Sequence, residues 1–551
     1  MRTLMTKKNK KGLYFLPLGG AAEIGMNLNL YAYDDQWLMV DLGVSFDDAM
    51  GVEVVLPDPQ FITKQKEKLV GLLLTHAHED HIGAIPYLWP QLQCPLYATP
   101  FTAHLIHEKL RDAGLAGEVE VNVIDLDGHQ NIGPFDVQMV RLTHSIPEPN
   151  GVLIKTPAGN IFHTGDWKID PDPLLGEPTD VSALQKIGDD GVLAMVCDST
   201  NVFNHKESGS EKQVLEGLRE AIAKYPESQI YVGCFASNVA RMQSIARAAL
   251  ENGRQVVAAG RSVNRMEMAA RRCGYLKDIP EFLTPKAARK IPNAQKLVIC
   301  TGSQGEGRAA LKRIANGTFQ DLSLTEGDVV IFSSRVIPGN EKKIGALKNM
   351  LIRQGCHVIT QHHHDIHVSG HPSQEELIQM YEWVRPKIAI PVHGELRHLV
   401  EHGRLAKKCG VPEVVICENG SLIRLFPDPV EVVQDVHSGR LFLDGDQLIS
   451  PDHQAIHERR RLSENGLVIL TVVQEEIGTL SLPIQVQFRG LATDQDCADR
   501  VFEAVMDTYT QLADQGVGEN KLRERLQKSA QHTLKQLIGK RPEVVVSLVQ
   551  G

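Results

Sequence analysis

Residues 69–86 read Leu-Val-Gly-Leu-Leu-Leu-Thr-His-Ala-His-Glu-Asp-His-Ile-Gly-Ala-Ile-Pro, an apolar run that breaks into three histidines and an aspartate within six residues. A short uncharged run of this kind reads as a buried strand. Histidines at i and i+2 project to the same side of an extended segment, so His76 and His78 face one point, while Asp80 and His81 turn toward a second. Imidazole and carboxylate together suit zinc, or manganese where the carboxylate and water share is large. Whatever fold the chain adopts must therefore end a buried strand at an open, ligand-rich rim.

Around that segment the first 200 residues alternate strand-like runs with turns: Leu13–Leu18, Trp37–Leu42, Leu69–Thr75, Val121–Leu126 and Phe135–Leu142. Pro-Ala-Gly-Asn at 157–160 separates two short apolar runs and predicts a hairpin. Helical patterns are sparse here, which predicts a sheet-rich layer. From about residue 206 helical periods (211–224, 238–252, 262–273) alternate with apolar runs (229–234, 255–259, 296–300, 328–332). Such alternation predicts βαβ units and a parallel sheet. After Pro427 the chain reads as an extended connector. The last stretch predicts a small α+β unit, with strands at 467–473, 484–488 and 543–548 and two amphipathic helices across 493–538. At 551 residues the chain is too long for one core.

Two further strand ends carry candidate ligands: His144 in Arg-Leu-Thr-His-Ser, and Asp166 in Ile-Phe-His-Thr-Gly-Asp. With Asp41-Leu-Gly and His76–His81, the series resembles the metallo-β-lactamase superfamily. That resemblance implies an α/β fold, an αββα sandwich with metals at one edge of its sheets. It also implies a ligand set: His76, His78 and His144 on one ion, Asp80 and His81 on the other, Asp166 bridging, and Asp41 orienting ligands from behind. The last ligand, His393 in Ile-Ala-Ile-Pro-Val-His-Gly-Glu, follows Asp166 by 227 residues. The βαβ block lies in that interval and reads as an inserted domain, which places a long cleft over the metals and suits a polymer.

The insertion resembles the β-CASP nucleases. On that pattern Asp198 (Cys-Asp-Ser-Thr-Asn), His371 (His-Val-Ser-Gly-His-Pro-Ser) and His393 are the family's further motif residues. With GGAAEIGMN, FASNVARMQ, TGSQGE and VIPGNE, the chain is most similar to the bacterial ribonuclease J family along essentially its whole length. The implied domains are a metallo-β-lactamase domain at 1–205 and 350–427, a β-CASP domain at 206–349, a linker at 428–460 and a C-terminal α+β domain at 461–551.

The resemblance implies a metal-dependent RNA phosphodiester hydrolase acting in RNA processing and decay. It would combine 5′→3′ exonuclease activity, favouring 5′-monophosphate ends, with endonuclease activity. Two divalent ions, zinc with manganese or magnesium as alternatives, would lower the pKa of bridging water and clamp the phosphate. Asp80 and Asp198 join His371 as catalytic candidates. His371, held by Asp198, either protonates the leaving oxygen or holds the phosphate. Ser303, His367, Ser369, Gly370 and His371 are candidates for the RNA phosphate, the glycine-rich turns through their N–H groups. For His362, His363 and His364 a surface loop is expected. One departure is Ala240 in Ser-Asn-Val-Ala-Arg, where relatives often carry His. The alternatives are a β-CASP DNA nuclease and a non-catalytic scaffold subunit of an RNA-processing complex.

Net charge is −10, but residues 241–296 hold twelve Lys/Arg against four Asp/Glu. That local surplus is either a solvated helix surface or a phosphate-tracking one. Nine cysteines without a C-x-x-C pair predict reduced thiols. The basic N-terminus runs straight into a strand without a signal-peptide core, and no apolar run reaches membrane-spanning length, so the cytoplasm is expected. A homodimer or homotetramer through the C-terminal domain, single-stranded RNA as partner and no membrane complete the expectations.

Overall fold

The computed structural model describes residues 11–47, 51–476, 479–513, 515 and 517–550. The expected absence of a signal peptide falls largely on residues 1–10, outside the described residues. The chain divides into two compact units: Met1–Phe46 with Val54–Arg440, and Asp47–Glu53 with Leu441–Gly551.

The larger unit is an αββα sandwich with an inserted parallel sheet. One sandwich sheet contains, side by side, strands Leu13–Gly19, Leu28–Tyr33, Gln36–Val40, Leu69–Leu73 and Leu96–Ala98. The other runs His129–Ile132, Phe135–Arg141, Asn150–Thr156, Gly159–His163, Ala194–Asp198, Ile388–Val392 and Glu413–Val414. The predicted turn at 157–160 is the hairpin joining Asn150–Thr156 to Gly159–His163. Between the sheets lie Phe15, Tyr31, Leu73, Val137, Ile154, Val196 and Ile390, all fully or almost fully buried. On the outer face of the second sheet, helices Val181–Asp190, Gln374–Val384 and Leu396–Lys408 contribute to a second core with Phe162, Trp167 and Met195. Strand Ile388–Val392 returns from the insertion to pair in parallel with Ala194–Asp198. That pairing brings Asp198 and His393 to the same sheet end.

The inserted sheet is wholly parallel, in the order Gln255–Ala259, Lys296–Cys300, Ile230–Gly233, Val329–Phe332, His357–Ile359. Helices Glu211–Ala223, Val239–Glu251 and Arg261–Arg272 lie close to their sequence-predicted spans. Two helices depart from the expected sparse helicity: Val181–Asp190 and, the longer, Pro100–Asp112. Proline within its first turn suits a helix start, and Phe101, Leu105, Ile106 and Leu110 form its buried face. The segment after Pro427 is not featureless either, since Glu431–Asp435 pairs with Ser421–Phe426.

In the smaller unit, Leu467–Glu476 pairs antiparallel with Gln485–Arg489 and parallel with Glu543–Gln550. Val468, Leu470 and Val472 alternate onto the face covered by helices Gln495–Ala513 and Glu519–Ile538.

 This alternation leaves Val468, Leu470 and Val472 fully buried. Helix residues Val501, Val505 and Tyr509 fill the space opposite, so the apolar stripe of that helix is core. Each such buried side chain contributes roughly 1.5–3 kcal/mol. No helix among the described residues is long and apolar enough to cross a membrane, and all nine cysteines are free.

Candidate metal centre and active site

Strand Leu69–Leu73 delivers His76 and His78 to the rim, and the short helix Glu79–Ile82 turns Asp80 and His81 inward. Strand Phe135–Arg141 leads to His144, strand Gly159–His163 to Asp166, and strand Ile388–Val392 to His393. These side chains converge in two overlapping groups, His76–His78–His144–Asp166 and Asp80–His81–Asp166–His393. In the first, His78 Nδ1 lies 3.0 Å from His76 Nε2 and 3.1 Å from His144 Nε2. In the second, Asp166 Oδ2 lies 3.2 Å from His81 Nε2 and 3.5 Å from His393 Nε2, and Asp80 Oδ2 lies 3.6 Å from both nitrogens. Asp166 belongs to both groups.

The donor atoms fit divalent ions. Ligands about 2.0–2.1 Å from a tetrahedral zinc stand roughly 3.4 Å apart, and the distances above bracket that value. Burial holds His76 and His144 well below the ordinary histidine range and His78 down at about 4, so all three are neutral donors at neutral pH. Around His81 the balance reverses: burial opposes its charge, but Asp166, Asp80 and Asp41 outweigh it and raise its pKa. A dication would neutralise that surplus of carboxylate. Asp166 Oδ1 is buried with no hydrogen-bond partner, an atom whose desolvation would otherwise be uncompensated.

Each of four ring orientations is fixed by a partner on the far nitrogen. Thr75 Oγ1 lies 3.0 Å from His76 Nδ1. Asp41 Oδ2 accepts from His81 Nδ1 at 2.7 Å, and its carboxylate also receives the Thr75 N–H and hydroxyl. The Gly370 carbonyl accepts from His144 Nδ1 at 2.5 Å. Asn27 Oδ1 accepts from His393 Nδ1 at 3.1 Å, while its Nδ2 donates to the Asp80 carbonyl. With the outer nitrogen protonated, the inner one presents a lone pair to the centre. Two glycines are tied to this packing. A Cβ on Gly43 would stand 1.6 Å from the Asp80 carbonyl oxygen, and one on Gly370 would stand 2.8 Å from His144 Cε1.

His371 Nδ1 donates to Asp198 Oδ2 at 2.7 Å, and Asp198 Oδ1 accepts from the Thr200 N–H. Burial opposes a charge on His371, but Asp198 and Asp166 outweigh it and push its pKa up to about 9. These carboxylates thus favour the imidazolium form of His371 beside the centre. The Ser369 hydroxyl and the His371 backbone form a tight local turn. His367 is the opposite case: burial, then Arg241, Arg335 and Lys168, hold it well below the ordinary range. Ser303 is buried beyond the end of strand Lys296–Cys300. His362 and His363 are exposed, and His364 lies against Lys224 on the surface.

Sequence reasoning missed Thr75, Asn27 and Arg241 as site-building residues. Arg241 is fully buried, paired with Glu211 at 2.8 Å, and donates to Ser333, the Ile366 carbonyl and His367 Nδ1. It thereby holds the segment that leads to His371. Much of the basic stretch is likewise internal or paired. Arg254 and Arg271 bond backbone carbonyls, and Arg265, Arg272 and Arg289 pair with Asp112, Glu108 and Asp321. Ala240 is buried, its N–H on the Ser145 carbonyl beside His144.

Four family models match in succession. They are the metallo-beta-lactamase superfamily over residues 27–193, the ribonuclease J beta-CASP domain over 227–351, the Zn-dependent metallo-hydrolase RNA specificity domain over 357–416 and the ribonuclease J C-terminal domain over 454–551. Ribonuclease J of Sinorhizobium meliloti is 42% identical over 98% of this chain and 97% of its own length. The Synechocystis and Mycolicibacterium smegmatis proteins of that name are each 36% identical over 98% of this chain, covering 87% and 97% of their own. A crystal structure of a protein of unknown function from Enterococcus faecalis aligns with a TM-score of 0.52 at 16% identity, covering 75% of this chain and all of that one. That likeness concerns the fold alone. With relatives matched end to end, the chain belongs to the ribonuclease J family of the metallo-β-lactamase superfamily.

Proposed function

We propose that this chain is a ribonuclease of the ribonuclease J type, degrading single-stranded RNA from 5′-monophosphate ends in the 5′→3′ direction and also cutting internally. The observation that carries the reading is the pair of donor groups sharing Asp166, with the His371 imidazolium beside them. His76, His78 and His144 would hold one divalent ion, Asp80, His81 and His393 the other, with Asp166 between. Zinc is the proposed ion because the donors are mainly imidazole; manganese and magnesium are the alternatives. Ions bound there supply Lewis acidity, acidifying water and neutralising charge on the phosphoryl oxygens.

The chain's own residues do the rest. Asp198 orients His371 and keeps it protonated, and His371 Nε2 gives its proton to the departing ribose oxygen. Neutral His367, ringed by the positive charge of Arg241, Arg335 and Lys168, supplies a phosphate-binding surface with Ser369 and Gly370. We assign residues 206–349 to the β-CASP insertion and 461–551 to the C-terminal domain. The proposed homodimer or homotetramer uses that domain's sheet face, where Val545 and Val549 are exposed. The proposed compartment is the cytoplasm.

The test compares 5′-monophosphorylated RNA, 5′-triphosphorylated RNA and DNA of one sequence, with zinc or manganese. The 5′-monophosphorylated RNA should disappear fastest, releasing mononucleotides from its 5′ end. Equal degradation of RNA and DNA would refute the RNA-specific reading.

A further inference from the structure

Behind the Asp198 turn, three buried polar side chains form a chain that no step above uses. Tyr381 OH lies 2.9 Å from His402 Nε2, and His402 Nδ1 lies 2.8 Å from Ser199 Oγ. They come from helices Gln374–Val384 and Leu396–Lys408 and from the turn after strand Ala194–Asp198. His402 and Ser199 are fully buried and Tyr381 almost so.

The donors balance in one direction only. The Tyr381 hydroxyl donates to His402 Nε2, His402 Nδ1–H donates to Ser199 Oγ, and the Ser199 hydroxyl donates to the Cys197 carbonyl at 3.4 Å. In the reverse sense the Tyr381 hydroxyl would have no acceptor among the described residues. Burial pulls His402 down to about 4 and raises Tyr381 well above its usual value, so both stay neutral at working pH. On either side of Ser199 the same turn holds the centre: Asp198 accepts from His371, and Thr200 Oγ1 donates to the His393 carbonyl at 2.9 Å.

We propose that His402, aligned by Tyr381, is a positioning residue that pins Ser199 and thereby fixes Asp198 against His371 for proton transfer. Its kinetic consequence rests on the hydrolase reading above. The alternative is a satisfied core histidine with no bearing on the reaction. Tyr381→Phe removes one hydroxyl without opening a cavity, so it separates the two. In the full-length, metal-loaded protein, Y381F should lower kcat on 5′-monophosphorylated RNA by about tenfold, the scale of a small misplacement at a reacting group. KM and bound-metal content should stay within twofold. His402→Ala should lose more and regain part of kcat when imidazole is added.

A readout without substrate keeps the relay testable apart from the function. In 15N-histidine NMR, His402 should be the Nδ1–H tautomer, and Y381F should shift the His371 Nδ1–H resonance. An Nε2–H tautomer, an unmoved His371 signal, or kcat within twofold of wild type in both variants would overturn the inference. Wild-type protein that leaves RNA intact would instead overturn the functional reading, while the NMR result still decides the relay.

Discussion

Replacing Asp198 by Asn separates the two roles open to His371. The carboxylate lies 2.7 Å from His371 Nδ1 and leads the attractions that lift the imidazole to about 9 against its burial. Asparagine keeps the shape and can still accept the Thr200 N–H, but its amide then turns N–H groups toward His371. The ring loses its anion, and its pKa falls toward the ordinary value of about 6.5. Near neutral pH the charged fraction therefore drops, with a loss of proton donor on the order of tenfold. The sign is fixed: the cation is the active form, so the variant recovers activity as pH falls, while the wild type holds activity into alkaline solution. Bound dications lower both values together, so the displacement between the two profiles is diagnostic. The assay is kcat/KM against pH on 5′-monophosphorylated RNA and on bis(p-nitrophenyl) phosphate, whose leaving group needs no proton. The alkaline limb should move down by about two units on RNA and stay in place on the ester. A uniform loss at every pH, or equal losses on both substrates, would show that His371 holds phosphate and does not donate a proton.

The double substitution Asp80→Ala with His81→Ala should abolish cleavage; residual cleavage in a gel assay would refute the ligand assignment. Gly43→Ala must displace the Asp80 carbonyl oxygen, 1.6 Å from the new Cβ, so zinc titration should show affinity at least about tenfold weaker, in the range seen when supporting partners are lost. Arg241→Met strands the buried Glu211 carboxylate and should cost about 3–5 kcal/mol in urea unfolding, with much of it regained in the Arg241→Met, Glu211→Gln double variant. Truncation near residue 450 should give smaller oligomers in light scattering and lower activity; a monomeric full-length protein would count against the assembly role.

The metal-type donors were legible because each stands at the end of an apolar strand, and strand ends on one rim converge in any sandwich. The parallel insertion was legible from the switch between helical periods and apolar runs. What escaped was set by contacts remote in sequence. Asn27 meets His393 and Gly370 meets His144 across 366 and 226 residues, and neither pairing leaves a periodic or compositional trace. Gly370, named for the N–H it could offer to phosphate, also turns its carbonyl to orient a histidine. The basic stretch misleads for a related reason: charge counted along the chain ignores direction, and Arg241 and Arg254 point inward to satisfy buried groups. Helix Pro100–Asp112 was within reach, since Phe101, Leu105, Ile106 and Leu110 repeat at helical spacing.

With Arg241 and Arg254 turned inward and several others paired, part of the attraction for a polyanion is expected to arise at the centre itself. Asp41, Asp80, Asp166 and Asp198 bring four carboxylates to it, and the whole chain carries −10. Without ions this concentration of negative charge repels phosphate; two dications cancel it, and the His371 imidazolium then tips the balance positive. Metal loading is thus expected to govern RNA binding as well as cleavage, through charge and not through folding, because the sandwich core between the sheets is built from apolar residues away from the donors. Anisotropy with a phosphorothioate RNA should show affinity weakened at least about tenfold by chelation at low salt, a gap that narrows as salt screens the carboxylates. Equal affinity of loaded and stripped protein at low salt would place the RNA-holding charge elsewhere, and the cluster around His367 would then have to carry binding by itself.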